Sequence, residues 1–111
     1  MRNYRIYLDD ILSAMDSIEK FVKGMNLDEF REDDKTSSAV IRKFEIIGEA
    51  TKNLPEEIKK EYSDVPWREM AGMRDKLIHF YFGIDYELVW TTIKQRIPNV
   101  KTIIKSIKEK I

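Results

Sequence analysis

Hydrophobic residues return at every third or fourth position through most of this chain. Tyr4, Leu8, Ile11, Met15, Ile18 and Val22 alternate steps of four and three, which sets all six along one face of a first helix. Gly24 and the turn residue Asn26 end that helix. Leu27 to Asp34 is a short acidic stretch that reads as one or two helical turns. Thr36, Ser37 or Ser38 is suited to cap a second helix, whose core face is Val40, Phe44, Ile47 and Leu54, with Thr51 in the remaining stripe position. On the same helix Gly48 and Ala50 would let another backbone come close. Pro55 suits the first turn of a third, shorter helix, with Glu56 and Glu57 near its positive end. After an interruption at Ser63-Asp64, Pro66 opens a fourth helix running to about Phe82, which Gly83 stops. Asp85 caps a fifth, with Val89, Ile93, Ile97, Val100, Ile104, Ile107 and Ile111 as its stripe. Pro98 falls inside that stripe and predicts a kink or a break into two segments. The pattern therefore predicts an all-α, antiparallel bundle of about five helices, with residues 1–111 forming a single domain.

Composition narrows what such a bundle can do. Twenty basic residues cancel twenty acidic ones, so no net field draws in nucleic acid from a distance, although a local basic patch remains open. Without cysteine there is no disulfide framework, zinc finger or thiol nucleophile. A single histidine cannot build a multi-histidine metal centre within one chain. No apolar run reaches the length of a membrane span, and no signal-peptide core is recognisable, so a cytoplasmic protein with no membrane partner is expected. From Thr91 to Ile111, Lys94, Arg96, Lys101, Lys105, Lys108 and Lys110 stand against Glu109 alone. Such a run is usually a solvated face, and less often a surface for RNA or a partner.

The fourth helix is the informative one. Met70, Met73, Leu77 and Phe80 would share one side, and Ala71, Ile78 and Phe82 another. A helix apolar over most of its circumference is wrapped by other elements or by a second chain. Arg74 would project between the two apolar sectors, where it needs a carboxylate, a phosphate or an interface to satisfy it. Glu45 or Glu49 of the second helix is the internal candidate. Asp75 and His79 form an i,i+4 pair in which the carboxylate would orient the imidazole. Tyr81 and Tyr86 default to core packing with the hydroxyl at the rim. Metal-independent RNA cleavage needs a base, an acid and cations around the phosphorane. One histidine per chain does not easily fill both proton-transfer roles, whereas a two-fold dimer would bring two histidines and two arginines to one cleft. In a regular helix Tyr81 lies near Arg74 in angle and far from His79.

The residues Arg74-Asp75-Lys76-Leu77-Ile78-His79-Phe80-Tyr81 resemble the arginine-x4-histidine-x-tyrosine signature of the HEPN superfamily, specifically of the HepT-like toxins. Ile46-Ile47-Gly48-Glu49-Ala50, Pro66-Trp67, Ala71-Gly72-Met73-Arg74-Asp75, Tyr81-Phe82-Gly83-Ile84-Asp85 and Val89-Trp90 are similar to family segments in the same order. The resemblance implies an all-helical homodimer with a composite, metal-independent ribonuclease site at the dimer cleft, without metal or cofactor. By position, Arg74 would stabilise the scissile phosphate and His79 would act as general acid or base. It further implies a toxin–antitoxin pair, in which a cognate minimal nucleotidyltransferase attaches AMP to Tyr81. Each added phosphodiester would crowd Arg74 and repel substrate. Phe80 stands where relatives commonly carry a smaller residue such as glycine. Two rival readings stand beside this one: a non-catalytic helical subunit that docks on a nucleotidyltransferase, and a structural helical dimer whose polar residues are satisfied internally.

Overall fold

The computed structural model of the protein describes residues 4–79 and 83–111. Helix α1 (Arg5–Phe21) and helix α3 (Asp34–Asn53) form the most extensive pairing, because each carries an unbroken apolar stripe. Leu8, Ile11, Met15 and Ile18 of α1 interlock there with Val40, Phe44 and Ile47 of α3, all buried. Helix α8 (Ile97–Lys110) lies along α1 and closes the core with Ile97, Ile104 and Ile107. Between α1 and α3 the chain turns at Gly24, whose φ of 80° is the left-handed conformation glycine tolerates. It then makes helix α2 (Leu27–Glu32). Asn26 starts α2 as well as ending the turn: its side chain accepts the Glu29 N–H at 2.8 Å while Glu29 accepts the Asn26 N–H at 2.9 Å. Phe30 of α2 is fully buried, with Trp90 at 5.3 Å and Tyr86 edge-on at 6.1 Å between ring centroids.

Three boundaries depart from the sequence pattern. Helix α3 is capped by Asp33, not by Thr36, Ser37 or Ser38. The Asp33 carboxylate accepts the Thr36 N–H at 2.9 Å and the Thr36 hydroxyl at 2.8 Å, which satisfies more of the helix end than a lone hydroxyl would. These hydrogen bonds, the backbone one foremost, hold the Asp33 carboxyl below its ordinary value. The fifth helix is divided into helix α7 (Tyr86–Thr91), a π-helical turn (Thr92–Arg96) and α8, where Pro98 sits in the first turn. Proline has no N–H to give to the turn before it, so the ladder widens upstream. The largest departure is in the fourth helix.

A single helix from Pro66 to Phe82 is not what forms. After helix α4 (Glu56–Glu61), which follows Pro55, the chain makes helix α5 (Trp67–Ala71), breaks at Gly72, and makes helix α6 (Met73–Leu77). The next residues are extended. Strand β1 (Ile78–His79) pairs antiparallel with strand β2 (Gly83–Ile84), with Ile78 opposite Ile84 and His79 opposite Gly83. The Asp85 N–H donates to the Leu77 carbonyl at 2.9 Å and closes the unit. The physical reason is in Ile-His-Phe-Tyr-Phe: β-branched and aromatic residues lose side-chain freedom in a helix and favour extended backbone. Gly83, with φ 77°, supplies the left-handed residue there. The described residues thus hold eight helices where the pattern gave about five, and the fold remains all-α.

Much of the C-terminal basic run is used internally. Lys101 Nζ reaches Asp16 at 2.5 Å and Glu19 at 2.6 Å, and Lys108 pairs with Asp9, so two lysines tie α8 to α1. Arg96 meets Glu69 at 2.5 Å, Lys94 lies 4.9 Å from the Trp90 ring centre, and Lys110 5.7 Å from that of Tyr62. Asp16 first, and then Glu19, push the Lys101 pKa above the ordinary lysine value of 10.5. A group raised on folding contributes stability that is fully present below its unfolded pKa and is lost as pH rises through its folded pKa. Lys101→Met should therefore melt below the wild type at neutral pH. The gap in melting temperature, followed by circular dichroism, should narrow above pH 10.5. Among the core residues, Phe44→Ala should cost about 3–5 kcal/mol in urea unfolding, the range for emptying a fully buried aromatic site.

Candidate functional site

The segment that carries Arg74 is seated on α3 through Gly48. A Cβ at Gly48 would lie 3.2 Å from the Ala71 carbonyl oxygen and 3.5 Å from that of Met70, so α5 rests on α3 backbone to backbone. One turn earlier on α3, Glu45 points to the same side. Its Oε2 accepts a hydrogen bond from Arg74 Nε at 2.6 Å, and its Oε1 lies 3.7 Å from Arg42. Of the two carboxylates the sequence offers, Glu45 is the partner. Glu49 is exposed one turn further on and lines the same cleft.

Arg74 itself is more solvated than helical periodicity implies. Its side chain is 53% exposed, against 32% for Glu45, and its Nη1 stands 3.8 Å from Asp75 Oδ1. The expected burial between two apolar sectors presumed a long helix; α6 stops at Leu77, and with it goes the second sector. The same stop removes the i,i+4 relation between Asp75 and His79, because His79 belongs to β1. Its backbone is held opposite Gly83. The side chains of Ile78 and His79, and Phe80, Tyr81 and Phe82 altogether, lie outside the described residues, as do the readings made for them. Tyr86 packs half-buried against Phe30, in line with its default role.

The cleft beside Arg74 has a volume of about 250 Å³ and is lined by Arg42, Glu45, Glu49, Lys52, Arg74 and Asp75 with the Gly48–Ala71 contact. Three cations and three carboxylates share it. Glu45 takes the Arg74 Nε donor, and a guanidinium has further N–H donors on its terminal nitrogens for a planar anion. Among the described residues no group of three His, Asp or Glu side chains is arranged to hold a metal ion, and no helix is long and apolar enough to cross a membrane. Sequence reasoning missed the hairpin that follows α6. Its signal was the run of β-formers ending at Gly83, which the helical periodicity of the preceding residues masked.

A profile described as ribonuclease HepT-like matches residues 11–107, almost the whole chain. The chain belongs to the HepT-like ribonuclease family. A protein of Thermococcus cleftensis named probable ribonuclease HepT is 50% identical over 100 residues, covering 90% of this chain and 91% of its own. A protein of Methanocaldococcus jannaschii, whose name marks it provisionally as an RNase, is 50% identical over 109 residues, covering 97% and 90%. Another named in the same way, from Caldanaerobacter subterraneus subsp. tengcongensis, is 46% identical over 110 residues, covering 99% and 98%. No solved structure matches at comparable significance. Membership of the HepT-like family places the chain among ribonucleases.

The energetic weight of the Arg74–Glu45 pair follows from its exposure. A partly solvated pair is screened by water and worth about 0.2–1 kcal/mol. A double-mutant cycle of Glu45→Ala and Arg74→Ala, read by urea unfolding, should give a coupling no larger than about 1 kcal/mol. A coupling of about 3 kcal/mol or more would make the pair a strut of the fold, with Arg74 kept for stability alone.

Proposed function

We propose that this chain is the toxic component of a toxin–antitoxin pair, a homodimeric, metal-independent RNA endonuclease whose site combines Arg74 and His79 from both protomers. The observation that carries the reading is the half-exposed Arg74 anchored by Glu45 at the opening of the family motif. A guanidinium tethered at one edge is pre-oriented, and so loses less freedom when it meets a phosphodiester. The interruption of α6 at Leu77 supports the same reading, since it frees His79 from the helical angle that would hold it away from Tyr81.

In this mechanism His79 of one protomer removes the proton of a ribose 2′-hydroxyl, and the 2′ oxygen attacks the adjacent phosphorus. The bond from phosphorus to the 5′ oxygen breaks, and His79 of the other protomer gives that oxygen a proton. The products are a 2′,3′-cyclic phosphate and a 5′-hydroxyl. Arg74 stabilises the charge that builds on the phosphorane oxygens. The cognate nucleotidyltransferase antitoxin silences the site by transferring AMP to the Tyr81 hydroxyl. Two residues beyond His79, that addition sets a phosphodiester's negative charge beside the residues that bind substrate phosphate.

The test is cleavage of end-labelled RNA in excess EDTA by protein made in cells lacking the nucleotidyltransferase, with intact mass confirming that Tyr81 is unmodified. Wild type should release 2′,3′-cyclic phosphate ends. His79→Ala should lose roughly 10²–10⁴-fold in rate, and Arg74→Ala roughly 10²–10³-fold. No cleavage of several RNA classes by folded, unmodified dimer would overturn the nuclease reading in favour of a docking subunit.

A further inference from the structure

The Arg74 cleft does not end at Arg74. It shares Ala71 with a larger depression of about 760 Å³ bounded by α4, α5 and the turn between them. Taken together they make a groove lined by residues of α3, α4, α5 and α6, the two parts adjoining at Ala71 beside the Gly48 contact. Its charges divide into those already engaged and those that are not. Glu45 is held by Arg74 and Arg42, Glu69 by Arg96, and Glu56 by Lys59 at 3.8 Å. Lys52, Lys60 and Arg68 are exposed and have no ion pair among the described residues. Three cations without an ion pair among the described residues therefore line the two depressions, with Glu49 the carboxylate that likewise has none.

We infer that this groove is a second, extended subsite that binds the phosphodiester backbone of the substrate RNA strand flanking the scissile phosphate, through Lys52, Lys60 and Arg68. The inference rests on the ribonuclease reading. Its own content is the path the strand takes and the three residues that hold it. Binding there is set by charge and not by base identity. Trp67, the large aromatic of the depression, is buried and donates its Nε1–H to the Tyr62 carbonyl at 3.0 Å, so it offers no face for a base to stack on. Backbone contact of this kind is tolerant of sequence and sensitive to salt.

The test uses the His79→Ala protein as background, so that RNA is bound without being cut. Fluorescence anisotropy follows a labelled single-stranded RNA across a salt series. The triple variant Lys52→Ala, Lys60→Ala, Arg68→Ala is compared with a control of equal charge change away from the groove, Lys20→Ala, Lys23→Ala, Lys105→Ala. Each lost contact should lower the slope of log affinity against log salt by about 0.7, or about 2 for all three. The groove variant should bind at least several-fold more weakly near 0.1 M salt, and the control should stay close to the parent. In the cleavage-competent protein, Lys60→Ala with Arg68→Ala, which lie outside the Arg74 cleft, should raise KM for a long RNA while leaving the turnover of a dinucleotide unchanged. Equal losses in groove and control variants, or an unchanged salt slope, would overturn the subsite even if the wild type cleaves RNA. Groove-dependent binding by a wild type that never cleaves would uphold the subsite and remove the nuclease reading. All six positions are exposed, and matching thermal melts establish that each variant is folded.

Discussion

Everything about the site depends on the closeness of α5 to α3 at Gly48. A Cβ there would stand 3.2 Å from the Ala71 carbonyl oxygen, so α5 would have to give by a few tenths of an ångström, and the atoms in the path are backbone carbonyls and not the ends of flexible side chains. That approach fixes where α6 begins, and so where Arg74 stands relative to Glu45 one turn earlier on α3. The same contact forms the junction between the Arg74 cleft and the depression beside α4. A single hydrogen substituent thus positions the cation and joins the two halves of the groove.

The bundle supplies rigidity and the motif segment supplies exposure. The stripes of α1, α3 and α8 bury nearly every residue that helical spacing assigns to them, and the lysines of α8 reinforce that packing by reaching Asp9, Asp16 and Glu19. Against this frame the described residues between Gly72 and Asp85 form short pieces: one brief helix and two paired strands of two residues each, the second beginning at Gly83. Brief elements leave polar side chains at the surface, where a large polyanion can reach them. A single long helix would have carried Arg74 into an apolar seam instead.

The long stripes were legible because a period near 3.6 repeated over five or more turns admits one reading. Gly48 was legible for a simpler reason, since a glycine inside a strong helix needs a packing explanation. The Glu45 contact was half legible: the sequence offered Glu45 and Glu49 on the same face, and only the placement of α6 chooses between them. The end of α6 was not legible from periodicity, because Leu77, Ile78 and Phe80 continue an apolar pattern that a helix and a strand can both use. The weak helix preference of Ile78 and His79, which form β1, decided it. Asp33 was passed over as a cap because three hydroxyl residues follow closely, although a carboxylate that takes two hydrogen bonds from Thr36 is the stronger stop. The groove charges were hidden for another reason. Whether a lysine is free depends on which carboxylates the fold brings near it, and sequence does not show that.

The most direct measurement is the ribonuclease activity of a purified heterodimer holding one wild-type protomer and one His79→Ala protomer, isolated through two different affinity tags. A composite site in which the two histidines divide the acid and base roles predicts activity far below half that of the wild-type dimer. Retention of half the wild-type activity would mean that each chain cleaves on its own, and would contradict the shared cleft.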